Sequence, residues 1–227
     1  MKTYLIFAAM KEEIDGLFSS LKYETKEMHQ LSYCYFKNDE IELYGFMSGI
    51  GKVSMAFTMG LVLSEIRPDY IINIGVAGSI ASKLHKMDIF VSDKVCYWDV
   101  DLTKFSKPIG QMSDCPLYFD ADRELLSECL KVGGPKVKSG LILSGDSFIA
   151  KENIKPEWFK VFDDPIACDM ESAAVAQVAY RAKIPFVIIR AISDAPVDEK
   201  DNKDVYESNL EEAAFEAGEL AKKIILK

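Results

Sequence analysis

The chain has 227 residues, 49% of them hydrophobic and 28% charged, a balance that fits a soluble globular protein with a sizeable core. Thirty-six acids against 27 bases leave a net charge of −9, which argues against nucleic acid or an anionic membrane as partner, because both call for a basic face. Five scattered cysteines, never paired as CxxC, read as reduced thiols, and two histidines leave almost no material for a metal site.

Apolar runs of strand length alternate with helical patterns along the chain, so a mostly parallel sheet covered by helices is expected. The first strand, Thr3–Ala9, has too short an apolar run for a secretory leader. No stretch approaches the ~20 apolar residues of a membrane span, and a cytoplasmic protein is the default. A helix over Lys11–Ser20 follows, on which Glu13 shares a face with Met10 and Leu17. Glu13 can serve a site there, or sit in the first turn as a favourable charge for the helix dipole.

Strands over Tyr33–Lys37 and Ile41–Met47 lead into "SGIGKVS". A phosphate loop fails here, since five residues separate Gly45 from Gly51 and Val53 follows Lys52; a dinucleotide fingerprint fails because Ser54 replaces its third glycine. A tight turn and a ligand contact both remain open. After a helix over Lys52–Ile66 and a strand over Tyr70–Gly75 comes "GVAGSI", where Gly75 and Gly78 read as a turn that lets backbone approach a ligand or another strand closely. Further elements are expected over Asp88–Val95 (strand), Arg123–Cys129 (helix), Val137–Ser144 and Ile166–Cys168 (strands), and Glu171–Ala182 (helix). At the start of that last helix Asp169 reads as a cap, leaving Glu171 for a ligand with two adjacent hydroxyls. The strand Pro185–Ile192 carries Arg190, expected to pair with a neighbouring acid, and Asp194 follows it. A mixed-sign charge run, Val197–Asp204, precedes a final helix over Asn209–Leu226.

Glu13, Glu171 and Asp194 thus each stand at the carboxyl end of a strand beside apolar residues. Three such carboxylates without metal ligands suit glycosidic chemistry: one acid for the leaving group, one base for water, one grip on the sugar.

The segments "AAMKEEI", "SGIGKV", "PDYIINIGVAGSI", "VSDKVCYWDVD", "LSGDSFI", "DMESAAVAQV" and "IPFVIIRAISD" resemble, in order and near spacing, bacterial 5'-methylthioadenosine/S-adenosylhomocysteine nucleosidases of the purine nucleoside phosphorylase superfamily. The likeness runs from about Met1 to Asp194. It implies a single-domain three-layer α/β/α sandwich over residues 1–227 around a central twisted mixed β-sheet, a homodimer, no cofactor, and hydrolysis of a nucleoside to adenine and a 5'-substituted ribose. By resemblance, Glu13 activates water and Asp194 protonates adenine N7. Glu171 grips the ribose hydroxyls over Met170, Phe148 stacks on the purine, the backbone of Ile149 reads its edge, and Gly78 lies close to the ligand. Met10, Ile50, Leu102, Phe105 and Tyr206 are expected around the 5'-alkylthio group.

Four positions depart from the family pattern. Val76 stands where serine is common, removing a hydroxyl that could orient the aspartate, and Asp169 replaces a glutamate. Lys107 and Ser113 replace a tyrosine and a proline that reach the 5' pocket from the partner subunit. Two other functions compete: a phosphorolytic relative, whose phosphate site leans on arginines that number only four here (Arg67, Arg123, Arg181, Arg190), and a nucleoside-binding protein without turnover.

Overall fold

The computed structural model describes residues 1–150, 152–155, 157–195 and 202–227. Pro196 and residues 197–201 of the expected charge run lie outside the described residues. In chain order the elements are β1 (Lys2–Ala8), α1 (Lys11–Phe18), β2 (Glu24–Met28), β3 (Leu31–Lys37), β4 (Ile41–Met47), α2 (Lys52–Glu65), β5 (Tyr70–Ser79), β6 (Ile89–Tyr97) and β7 (Phe119–Asp120). Then come α3 (Arg123–Gly133), β8 (Val137–Ser144), α4 (Trp158–Val161), β9 (Pro165–Asp169), α5 (Ser172–Ala182), β10 (Phe186–Asp194) and α6 (Asn202–Ile225).

All the described strands form one sheet, ordered β10-β6-β8-β9-β5-β1-β4-β3-β2, with β7 on β6. β5 also pairs with β10, so five strands close into a ring and the remainder extend from β5 as an open sheet. The sheet is mixed rather than mostly parallel: β5 runs parallel to β1 and β10 but antiparallel to β9, and β10 runs antiparallel to β6.

Helices cover both faces. α1, α3 and α6 pack together on one, and α2 and α5 on the other. Two apolar clusters result, one joining Met55, Met59 and Ala176 to the sheet, the other joining Leu17, Ala217 and Ile224 to it. With both faces covered, β1 and β10 bury nearly every side chain and read as continuous apolar runs.

Three boundaries differ from expectation in ways that matter for the site. β5 continues through "GVAGS" to Ser79, so Gly75 and Gly78 lie within a strand and not in a turn. β10 likewise continues to Asp194, which pairs with Gly78 across an irregularity after Ile192. α6 begins at Asn202, seven residues before the expected start, which brings Tyr206 onto the helix. The edge strand β2, sequence ETKEM, has no apolar alternation to announce it; charges are what an exposed edge carries. His29 and Gln30, at φ 49° and 65°, form the two-residue turn joining it to β3.

Candidate active site

A cavity of about 250 Å³ opens where the carboxyl ends of β1, β5, β9 and β10 meet. Glu13, Glu171 and Asp194 all line it, although they come from three distant parts of the chain. Each is almost wholly buried, at 4%, 8% and 2% exposure, and a buried carboxyl must be held by donors or stay protonated.

Glu13 is held by backbone. Its Oε2 accepts hydrogen bonds from the N–H groups of Ala9 (2.8 Å) and Met10 (3.1 Å), and its Oε1 accepts from the Val76 N–H (3.0 Å). Burial pushes its carboxyl above the usual range; the Arg190 charge and the three N–H donors pull the other way. The first-turn position and the site position are therefore the same position. The glycine at 75 makes room for it, because a Cβ there would lie 2.4 Å from Glu13 Oε1.

Glu171 accepts from the Gly51 N–H through Oε1, at 2.7 Å. Gly51 adopts φ 96°, a conformation glycine takes without steric cost, so "SGIGKV" is both a tight turn and a contact to the site. Burial, and next the neighbouring Asp169 charge, push the Glu171 carboxyl up to about 8. Asp169 also lines the cavity, but its carboxylate is taken up by other partners. It accepts from the Ser172 N–H and hydroxyl at the start of α5, and from Arg190 Nε (3.0 Å) and Nη2 (2.7 Å). The expected division holds: Asp169 caps and Glu171 faces the cavity. Arg190, 2% exposed, also donates from Nη2 to Asn73 Oδ1 (2.5 Å) and Ser172 Oγ (3.0 Å), so its charge is fully engaged below the site.

Asp194 Oδ1 accepts from the Ser193 hydroxyl at 2.7 Å, and that hydroxyl also lies 3.3 Å from the Ala77 carbonyl oxygen. A hydroxyl orienting Asp194 is therefore present next to it in sequence. Val76 instead contributes its amide, to Glu13, a role its side chain does not alter. Asp194 Oδ2 would lie 3.3 Å from a Cβ at Gly78, which places that glycine directly against the acid.

Met10, Ile50, Gly78, Phe148, Ile149, Met170 and Tyr206 also line the cavity. Tyr206 closes one side of the mouth: its hydroxyl lies 3.5 Å from Met10 Sδ and its ring meets Phe148 edge-on at 5.5 Å. Burial, then the charges of Glu13, Glu171 and Asp194, push its phenol above the ordinary value. Leu102 and Phe105 do not line the cavity of this chain. They sit on the loop after β6, where Phe105 is 76% exposed. Lys107 and Ser113 share that loop and are likewise outside the cavity wall. Ser193 and Cys168, which sequence reasoning did not single out, both line it; burial, and then Asp194, push the Cys168 thiol well above its usual value, so it acts as neutral lining. A small residue next to a strand-end acid was the available signal for Ser193.

The profile of the phosphorylase superfamily matches residues 3–226. A 5'-methylthioadenosine/S-adenosylhomocysteine nucleosidase of Maridesulfovibrio salexigens is 37% identical over 214 residues, 92% of either chain. The chain belongs to this nucleosidase family. Among solved structures, the S-adenosylhomocysteine nucleosidase of Streptococcus pyogenes in complex with 5-methylthiotubericidin superposes with TM-score 0.91 at 32% identity, over 99% of this chain and 96% of that one. A Borrelia burgdorferi chain ascribed to the same enzyme, solved bound to adenine, gives TM-score 0.92 at 36% identity, over 98% and 99% of the two chains. The family's nucleoside phosphorylase-like fold accounts for the ring of strands beside an open sheet, and its members' adenine and nucleoside-analogue complexes agree in ligand class with a cavity of this size and apolar lining.

Proposed function

We propose that this chain hydrolyses the N-glycosidic bond of 5'-methylthioadenosine and S-adenosylhomocysteine, releasing adenine and the 5'-substituted ribose. The observation that carries the reading is the convergence of three buried carboxylates, each with its own donors, on one apolar cavity. In the reaction, water oxygen bonds to C1' as the C1'–N9 bond breaks; Glu13 takes the water proton and Asp194 gives its proton to N7. The transition state resembles an oxocarbenium ion with electrons moving into the purine, so a proton at N7 stabilises the leaving group as charge develops. The two groups need opposite charge states at the start. Three amides and the Arg190 charge oppose the burial that raises the Glu13 carboxyl, and the proposed reaction takes Glu13 ionised and Asp194 neutral. Glu171 accepts from the ribose hydroxyls, Phe148 stacks on adenine, Ile149 reads its edge and Met170 supports the sugar. Met10, Ile50 and Tyr206 meet the 5' substituent.

Phosphorolysis finds no support in the site: among the described residues no arginine lines the cavity, and Arg190 is bound to Asp169, Asn73 and Ser172. A homodimer is supported by the outer face of α2, where Val53 and Phe57 are 79% and 64% exposed on a helix that is apolar all round. A second copy on that face is also the source we infer for contacts that Leu102 and Phe105 do not make within one chain. Cytoplasmic residence is supported by the cysteines, all five of them free and four of them buried.

Adenine release from methylthioadenosine, followed with and without phosphate, tests the reaction. Release should be independent of phosphate; release only in its presence would replace hydrolysis by phosphorolysis. Glu13→Gln and Asp194→Asn should each lower kcat by about 10²–10⁴-fold, the usual weight of one proton-transfer group. Wild-type turnover in either variant would remove that residue from its role.

A further inference from the structure

Lys52 begins α2, where a cation opposes the helix dipole and weakens the helix it starts. Residues that break a local rule inside an otherwise consistent fold point to a use. Its ammonium lies 2.5 Å from Asp99 Oδ2 and 3.7 Å from Asp146 Oδ2, while its backbone N–H donates to Asp146 Oδ1 at 2.8 Å. The Asp146 N–H in turn donates to Asp99 Oδ2 at 3.0 Å. Three segments are thereby tied into one ring of hydrogen bonds: the start of α2, the loop after β6 and the loop after β8.

Each of the two adjacent amides at this helix start holds a different side of the cavity. The Gly51 N–H holds Glu171, on the side assigned to ribose, and the Lys52 N–H holds Asp146, two residues before Phe148 on the side assigned to the purine. Lys52 and Asp99 side chains are only 20% and 21% exposed, so their attraction is less screened than that of a surface pair. Without the ammonium, Asp99 and Asp146 are two like charges sharing one hydrogen-bonded junction, and repulsion opens it.

We propose that the Lys52–Asp99–Asp146 clasp is a positioning device that keeps the purine-side loop in register with Glu171, and that Lys52 is its central positioning residue. The inference rests on the nucleosidase reading of the cavity. Its action is geometric: the clasp touches no reacting atom, and its loss misaligns the base over the sugar, a displacement of the kind that costs catalysis from a distance.

The chain's two tryptophans report on the junction. Trp98 precedes Asp99, and its ring lies 5.0 Å from that of buried Trp158. The test compares wild type, Lys52→Met, Lys52→Arg and Asp99→Asn by steady-state kinetics on methylthioadenosine, by adenine titration of tryptophan emission, and by thermal melting. Lys52→Met should lower kcat/KM by about 10–100-fold with KM rising, weaken the adenine titration, and shift resting emission to the red, with the pH profile of kcat unmoved. Lys52→Arg should recover most of this, and Asp99→Asn, which removes the carboxylate that the ammonium holds, should lower kcat/KM and adenine affinity in the same direction as Lys52→Met. Wild-type kcat/KM and adenine affinity in Lys52→Met would overturn the clasp. So would a loss that follows a fall in melting temperature and that Lys52→Arg does not rescue. Absence of adenine release from the wild type would instead remove the nucleosidase reading, and the adenine titration would still judge the clasp.

Discussion

Glu171 shows what burial does to one side chain. Its carboxyl rises from 4.5 to about 8 in the folded protein, so between those pH values the folded state holds a proton that the unfolded state has released. Stability therefore falls as pH rises through that window, the opposite of the usual salt-bridged acid. The melting temperature of the ligand-free protein should drop between pH 5 and pH 8.5, and Glu171→Gln should flatten that drop while leaving the part that comes from Glu13, which is raised for the same reason. An unchanged slope in the variant would show that Glu171 is not the group titrating. In the proposed ribose-binding role, sugar hydroxyls would donate to the ionised form, so ligand and rising pH would act together on this residue. The acids' chemical types were legible in the sequence, and so was Asp169 as the cap. Ser193 was not, because a hydroxyl's partner is a matter of distance, and the concern over Val76 looked to a side chain where the structure uses an amide.

Strand β5 shows why element boundaries carry function. Glycine marks a turn and a close approach within a strand with the same letter, so "GVAGSI" read as a turn when it carries four further residues of strand, 76–79. In the strand, Gly75 faces Glu13 and Gly78 faces Asp194. A methyl at position 75 would stand 2.4 Å from Glu13 Oε1 and 3.2 Å from Arg190 Nη1, so the carboxylate must leave its amides. Gly75→Ala should therefore lower kcat by at least about 10²-fold, the lower weight of a proton-transfer group, with adenine binding kept, since Phe148 and Glu171 are untouched. Steady-state kinetics beside an adenine titration checks this; full activity would mean the base does not sit against β5. The polar edge strand β2 escaped sequence reading because it has no apolar face to betray it, and β7 because two residues, one of them the buried Phe119, are too few to show a period.

At the scale of the whole molecule, the outer face of α2 is the largest departure from a self-contained fold. Val53→Asp combined with Phe57→Arg changes exposed positions that touch no core, so the chain should still fold while sedimenting as a monomer; a persistent dimer would place the interface elsewhere. The sequence by itself determined the alternation of strands and helices, the apolar runs of β1 and β10, and the residue types of the three carboxylates that line the cavity. Those depend on local periodicity and on side-chain chemistry, both written along the chain. Only the tertiary structure decided that the sheet is partly closed, that Asp169 is the acid Arg190 meets, and that Leu102 and Phe105 stand outside the cavity of their own chain. Strand direction and the meeting of residues 13, 171 and 194 arise from non-local pairing, whose energy comes from burying two faces at once, and no window of sequence contains both partners.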